Sequence, residues 1–176
     1  TASITEGTPT TVSIISGNTD GDSDGNLPFA IATSGAITVN DADDIDYDTT
    51  TSYTLTVVAY TSSDTVSADM TITITDVNDQ TPTYTAGTTT FSVGEGSTAA
   101  IDSFAITDTD TVGTLACAES GNDADDFACA ISSGTLTVSW SATPNYESPT
   151  DSDTNNIYTY TITVSDGTNS ATATTY

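Results

Sequence analysis

The apolar residues of this chain alternate with Thr and Ser over several long stretches. Tyr53, Leu55, Val57 and Ala59 are interleaved with Thr54, Thr56 and Val58, and Met70, Ile72 and Ile74 alternate with Thr71, Thr73 and Thr75. Leu136, Val138 and Trp140 keep the same spacing, as do Tyr158, Tyr160, Ile162 and Val164. Successive side chains on a strand point to opposite faces, so each stretch predicts a sheet with one face inward and one face wet. No stretch carries a helical period of useful length. Leu, Ile, Val and Phe make up only about 18% of the chain, a content that with high net charge is usual in disordered sequences. The sustained alternation and the abundance of β-branched Thr argue instead for folded strands. The conflict predicts a marginal fold that gains stability from bound cations.

The pattern occurs twice. Ile4-Thr5-Glu6-Gly7 matches Val93-Gly94-Glu95-Gly96, and Phe29 to Val39 matches Phe127 to Val138. Asp46-Tyr47-Asp48 matches Asn145-Tyr146-Glu147, and Tyr53 to Ala59 matches Tyr158 to Val164. Each copy has the length and turn rhythm of a seven-stranded Greek-key β-sandwich of immunoglobulin-like type. The expectation is an all-β chain of two tandem sandwiches, residues 1–80 and 81–176, joined end to end.

Composition then narrows the chemistry. The chain has no Lys, Arg or His and carries 25 Asp and Glu, a formal charge of −25. No internal salt bridge between side chains can relieve that repulsion, so solvent ions or bound cations must. Nucleic acid and anionic membrane surfaces are excluded as partners, since both require basic side chains. Ser-His-Asp and Cys-His nucleophiles, Schiff-base lysines and His-bound zinc are excluded as well. Only paired carboxylates could catalyse, and no pair here is set apart from the rest; the chain reads as a non-enzyme. Cys117 and Cys129 lack metal-type spacing. Facing each other across a hairpin, they would form a disulfide and imply an oxidising, extracellular setting; the alternative is two buried thiols. Tyr47 and Tyr146 are expected as core or ligand-orienting aromatics, and Asp41-Ala42-Asp43-Asp44 as a wet, charged turn.

Asp76-Val77-Asn78-Asp79-Gln80-Thr81-Pro82 lies between the two copies. This run of hard oxygen donors, in a chain without cations, calls for Ca²⁺, which takes six to eight oxygens. It resembles the D-x-N-D-N-x-P junction of cadherin repeats. Glu6 is similar to that family's early glutamate, Asp46-Tyr47-Asp48 to its D-R-E or D-Y-E motif, Asp108-Thr109-Asp110 to its D-x-D pair, and Asp166 to its late aspartate. The motifs follow in family order over nearly the whole chain. The resemblance implies about three Ca²⁺ between the repeats. The ligands would be Glu6, Asp46, Asp48, Asp76, Asp79 and Asn78, with the backbone carbonyls of Val77 and Gln80, then Asp108, Asp110 and Asp166. The family's adhesive N-terminal tryptophan is missing, so strand-swap adhesion is not implied.

Two further groups are possible second sites. Asp20-Gly21-Asp22-Ser23-Asp24-Gly25 begins like an EF-hand loop, but Ile31 stands where the closing Glu belongs. That segment binds a cation by itself, is a D-x-D pair for an upstream repeat, or is a solvated turn. Glu95, Asn145 and Glu147 read as the first half of another junction. The expected role is an extracellular, calcium-rigidified structural or adhesive repeat, continuing end to end with copies of itself or adjacent repeats, as in a long adhesin or filament. Carbohydrate-binding and metal-free spacer sandwiches are the alternatives, a glycan partner having thin support in the single Trp.

Overall fold

A computed structural model describes residues 8–85, 90–171 and the backbone of 174 and 175. The described residues are all-β apart from a short 3-10 turn at Ala124–Asp126. The chain divides into two compact units, Thr1–Asp76 and Val77–Tyr176.

The first unit has five strands among the described residues: β1 (Thr11–Ser16), β2 (Phe29–Ile31), β3 (Ile37–Val39), β4 (Ser52–Tyr60) and β5 (Thr65–Thr73). One sheet has the order β1-β4-β5, the other is the β2-β3 hairpin. Strands β4 and β5 stay in register from Ser52↔Thr73 to Tyr60↔Thr65. The turn between them is closed by Thr61 and Asp64, which exchange backbone and side-chain hydrogen bonds at 2.8 Å. Among the described residues Leu55, Val58, Phe29 and Pro28 are buried, and Tyr53 meets Phe29 edge to face at 5.1 Å. Two positions depart from strict alternation. Val58, expected on the wet side of β4, is buried, and Met70, expected inward, is exposed. Strand β5 is an edge of its sheet, where a side chain has fewer neighbours to cover it.

The second unit comprises β6 (Thr83–Tyr84), β7 (Asp102–Thr107), β8 (Ala116–Ser120), β9 (Phe127–Ser132), β10 (Thr135–Trp140), β11 (Thr161–Ser165) and β12 (Thr174–Thr175). The sheets run β6-β7-β10-β9 and β12-β11-β8. The inward residues read from the sequence form this core: Leu136, Val138, Ile162 and Val164 have no exposed surface, and Phe104, Phe127 and Tyr160 pack with them. The β9–β10 hairpin turns on Ser133 and Gly134, both at positive φ, the geometry that matches the twist of two paired strands. Cys117 and Cys129 are disulfide-bonded. They do not face each other across a hairpin, as the spacing suggested. Cys117 lies on β8 and Cys129 on β9, so the bond ties the edge strand of one sheet to the edge strand of the other.

The internal repeat aligns β2–β3 with β9–β10 and β4 with β11. Strand β1 pairs with β4 as β8 pairs with β11. The β1–β2 loop, residues 17–28, is therefore the counterpart of the β8–β9 loop, residues 121–126.

Candidate metal centre

The D-x-D pair of the second unit follows β7, and Asp166 follows β11. Strand ends bring them together: Asp108, Asp110 and Asp166 each offer a carboxylate oxygen within 4.8 Å of the others. Asp166 is 2% exposed. Its Oδ1 accepts the N–H groups of Thr168 and Asn169, both at 2.7 Å. Burial pushes its carboxyl pKa up, but the Asn169 and Thr168 N–H groups, aided by the Asn169 and Asn78 side chains, outweigh burial and hold it below the ordinary value.

Asn78 stands over this cluster. The amide atom that points into it lies 3.1 Å from Asp110 Oδ2 and 2.9 Å from Asp166 Oδ2. As nitrogen it donates to both carboxylates; as oxygen it is one more hard donor facing them. Gly113 makes this approach possible: at φ +97 it faces the carboxamide so closely that a Cβ would sit 2.4 Å from it. Gln80 is held from two sides, its N–H donating to Asp110 Oδ2 at 3.0 Å and its carbonyl accepting from Asn169 Nδ2 at 2.9 Å. Asn169 was not singled out in the sequence, because a polar residue in a Gly- and Ser-rich turn carries no periodic signal. Asp79 is exposed and accepts from Gln80 Nε2 at 3.1 Å. The Val77 side chain is exposed.

In the first unit, Asp48 and Asp76 place carboxylate oxygens within 4.8 Å of one another. Asp46 instead stabilises its own turn, accepting the Asp48 N–H at 2.9 Å and the Thr49 hydroxyl at 2.8 Å. Glu6 lies outside the described residues.

Asp20 and Asp22 form a separate group with Asp44, again within 4.8 Å. Asp24 is not in this group; its oxygens accept the Asn26 N–H at 2.7 Å and Nδ2 at 2.8 Å, while those of Asp20 accept the Ser23 N–H at 2.6 Å and the Gly25 N–H at 2.9 Å. The wet turn expected at residues 41–44 holds only in part. Asp44 is turned inward and is 9% exposed. Its Oδ1 accepts the N–H groups of Gly21 at 2.6 Å and Asp22 at 3.2 Å, and its carbonyl accepts the Tyr53 hydroxyl at 2.6 Å. A hydrogen bond from the Asp24 N–H pulls the Asp22 carboxyl pKa down, but partial desolvation and the charges of Asp24, Asp44 and Asp20 together raise it above the ordinary value. The loop topology separates Asp20 and Asp22 from the D-x-D pair of the second unit: they lie between β1 and β2, whereas Asp108 and Asp110 lie between β7 and β8.

Glu95 Oε2 accepts the Tyr146 N–H at 3.2 Å, and Asn145 Oδ1 caps Glu147 and Ser148. Tyr146 is 68% exposed rather than a core residue. It lines a groove of about 610 Å³ with Phe91, Trp140, Ile157 and Tyr158. Trp140 itself is stacked on Phe127 at 4.9 Å and meets Tyr158 edge to face at 5.0 Å.

No sequence-family model matches the chain, and no curated protein matches it. Solved structures do. A protocadherin gammaB7 EC3-6 cis-dimer aligns with a TM-score of 0.69 and 20% identity, over 97% of this chain and 40% of that one. Extracellular cadherin domains 3-6 of protocadherin gamma B2 align with a TM-score of 0.60 and 25% identity, over 84% of this chain and 35% of that one. Cadherin-like domains 1 to 4 of zebrafish RET align with a TM-score of 0.53 and 16% identity, over 93% and 38%. The chain spans well under half the length of these neighbours. The fold of the chain is cadherin-like.

Proposed function

We propose that the chain is an extracellular, non-catalytic structural or adhesive repeat whose two units are fixed to each other by about three Ca²⁺ ions. The first unit supplies Glu6, Asp46, Asp48 and Asp76. The linker supplies Asn78, Asp79 and the carbonyls of Val77 and Gln80, and the second unit supplies Asp108, Asp110 and Asp166. The ions offset a local excess of negative charge that no side-chain cation in this sequence can neutralise, and all the proposed donors are oxygens suited to Ca²⁺.

One observation carries this reading. The Asn78 carboxamide is seated between Asp110 and Asp166 at hydrogen-bonding distance from both. Rotation of the amide by half a turn exchanges a nitrogen that pairs with carboxylates for an oxygen that joins them around a cation. The disulfide supports an oxidising location, and no helix among the described residues is long and apolar enough to cross a membrane. Further copies or adjacent repeats continue the array end to end.

Calorimetry of the full chain tests the calcium reading. Millimolar Ca²⁺ is expected to raise the unfolding temperature well above that in EDTA, since an ion that binds only the folded state stabilises it by about 4 kcal/mol at a thousandfold excess over Kd. Superimposable traces with no bound ion would leave a metal-free spacer.

A further inference from the structure

The β1–β2 loop of the first unit and the β8–β9 loop of the second occupy corresponding places, and each is tied to the long loop that precedes its unit's second-to-last described strand, β4 or β11. In the second unit the tie is Asp123, 4% exposed. Both its oxygens are satisfied by protein donors: Oδ1 by the Ser152 N–H at 2.7 Å, and Oδ2 by the Thr159 N–H at 2.8 Å and hydroxyl at 3.2 Å. In the first unit the tie runs the other way. Asp44 reaches back to Gly21 and Asp22, but only its Oδ1 is used. Its Oδ2 is buried without a hydrogen-bond partner. A buried, unpaired carboxylate oxygen is costly, and the Asp44 carboxylate that carries it lies near two more, those of Asp20 and Asp22.

We propose that Asp44, Asp20 and Asp22 form a Ca²⁺ site within the first unit, separate from the junction between units. One ion there satisfies the orphaned Oδ2, offsets three like charges and clamps the β1–β2 loop to the loop before β4. In the second unit the same join is made by hydrogen bonds alone. Three carboxylates supply part of the shell, and water completes it, since Ca²⁺ takes six to eight oxygens. The loops approach closely at Gly21, where a Cβ would lie 3.1 Å from Asp44 Oδ1, a tight contact that glycine avoids.

The Tyr53 hydroxyl, 2.6 Å from the Asp44 carbonyl, provides an antenna for terbium. Native mass spectrometry in Ca²⁺ and Tyr-sensitised Tb³⁺ emission are measured on the full chain for wild type, Asp44→Asn, Asp22→Asn, Tyr53→Phe and Asp79→Ala. Asp44→Asn keeps the Oδ1 acceptor and is expected to bind one ion fewer. Asp22→Asn, an exposed change, should weaken one site by about tenfold through the lost ligand charge. Tyr53→Phe should remove part of the Tb³⁺ emission while leaving the Ca²⁺ count unchanged. Asp79→Ala should retain the Tyr53-dependent emission, which separates this site from the junction. Equal ion counts in wild type, Asp44→Asn and Asp22→Asn, with emission unaffected by Tyr53→Phe, would overturn the proposal and leave the junction reading standing.

Discussion

At the scale of single residues, buried carboxylates organise both units. Asp123 is the clearest case outside any carboxylate cluster. Burial pushes its pKa up, and hydrogen bonds from Ser152 and Thr159 outweigh burial and hold it below the ordinary value. The unfolded chain therefore binds the proton more tightly than the folded one. The stability that Asp123 contributes is complete above the unfolded carboxylate value, about pH 4, and is lost as pH falls through the lower, folded one. Asp123→Asn is expected to cost about 2 kcal/mol at neutral pH, because one amide face cannot accept from the Thr159 N–H. It should also flatten the acid limb of the stability profile. Urea titrations between pH 2 and 7 would show it, and an unchanged slope with pH would refute it. The roles of Asp123 and Asp44 were not legible in the sequence, where they look like any other acid in a polar turn. What distinguishes them is which loop each meets, and that is fixed by strand pairing far along the chain. Asp108, Asp110 and Asp166 were legible by their likeness to the cadherin D-x-D and late-aspartate motifs, and Asp166 also follows an alternating stretch, Tyr158 to Val164.

At the scale of elements, alternation located the strands wherever both faces differ strongly. Leu136 and Val138 on β10, and Ile162 and Val164 on β11, sit at the centre of the second core as their spacing implies. The same rule failed at Met70, since an edge strand offers its inward side chains less cover. It also failed to place the cysteines, because twelve residues of spacing say nothing about which sheet each strand joins. Their bond links β8 to β9 across two sheets. Reduction is expected to lower the stability of the second unit by roughly 2–4 kcal/mol, from the chain entropy that the closed loop removes from the unfolded state. Chemical denaturation with and without a reductant measures this, and identical midpoints would count against it.

At the scale of the whole molecule, a formal charge of −25 with no basic side chain makes stability depend on the surrounding ions. Under the proposed junction, Asp79→Ala should bring the scattering curve of the Ca²⁺-loaded chain close to that of wild type in EDTA. A mutant curve identical to that of calcium-loaded wild type would remove Asp79 from the ligand set. Under the proposed function, fewer buried apolar residues among the described part of the first unit than of the second would leave the first the more sensitive to removal of bound cations.

The covalent link between β8 and β9 has a mechanical consequence. It binds the two sheets of the second unit along one margin like the spine of a book, while the opposite margins are the two-residue strands β6 and β12. Under load the pages are expected to part from that fore-edge first, with the bound side held closed by the disulfide.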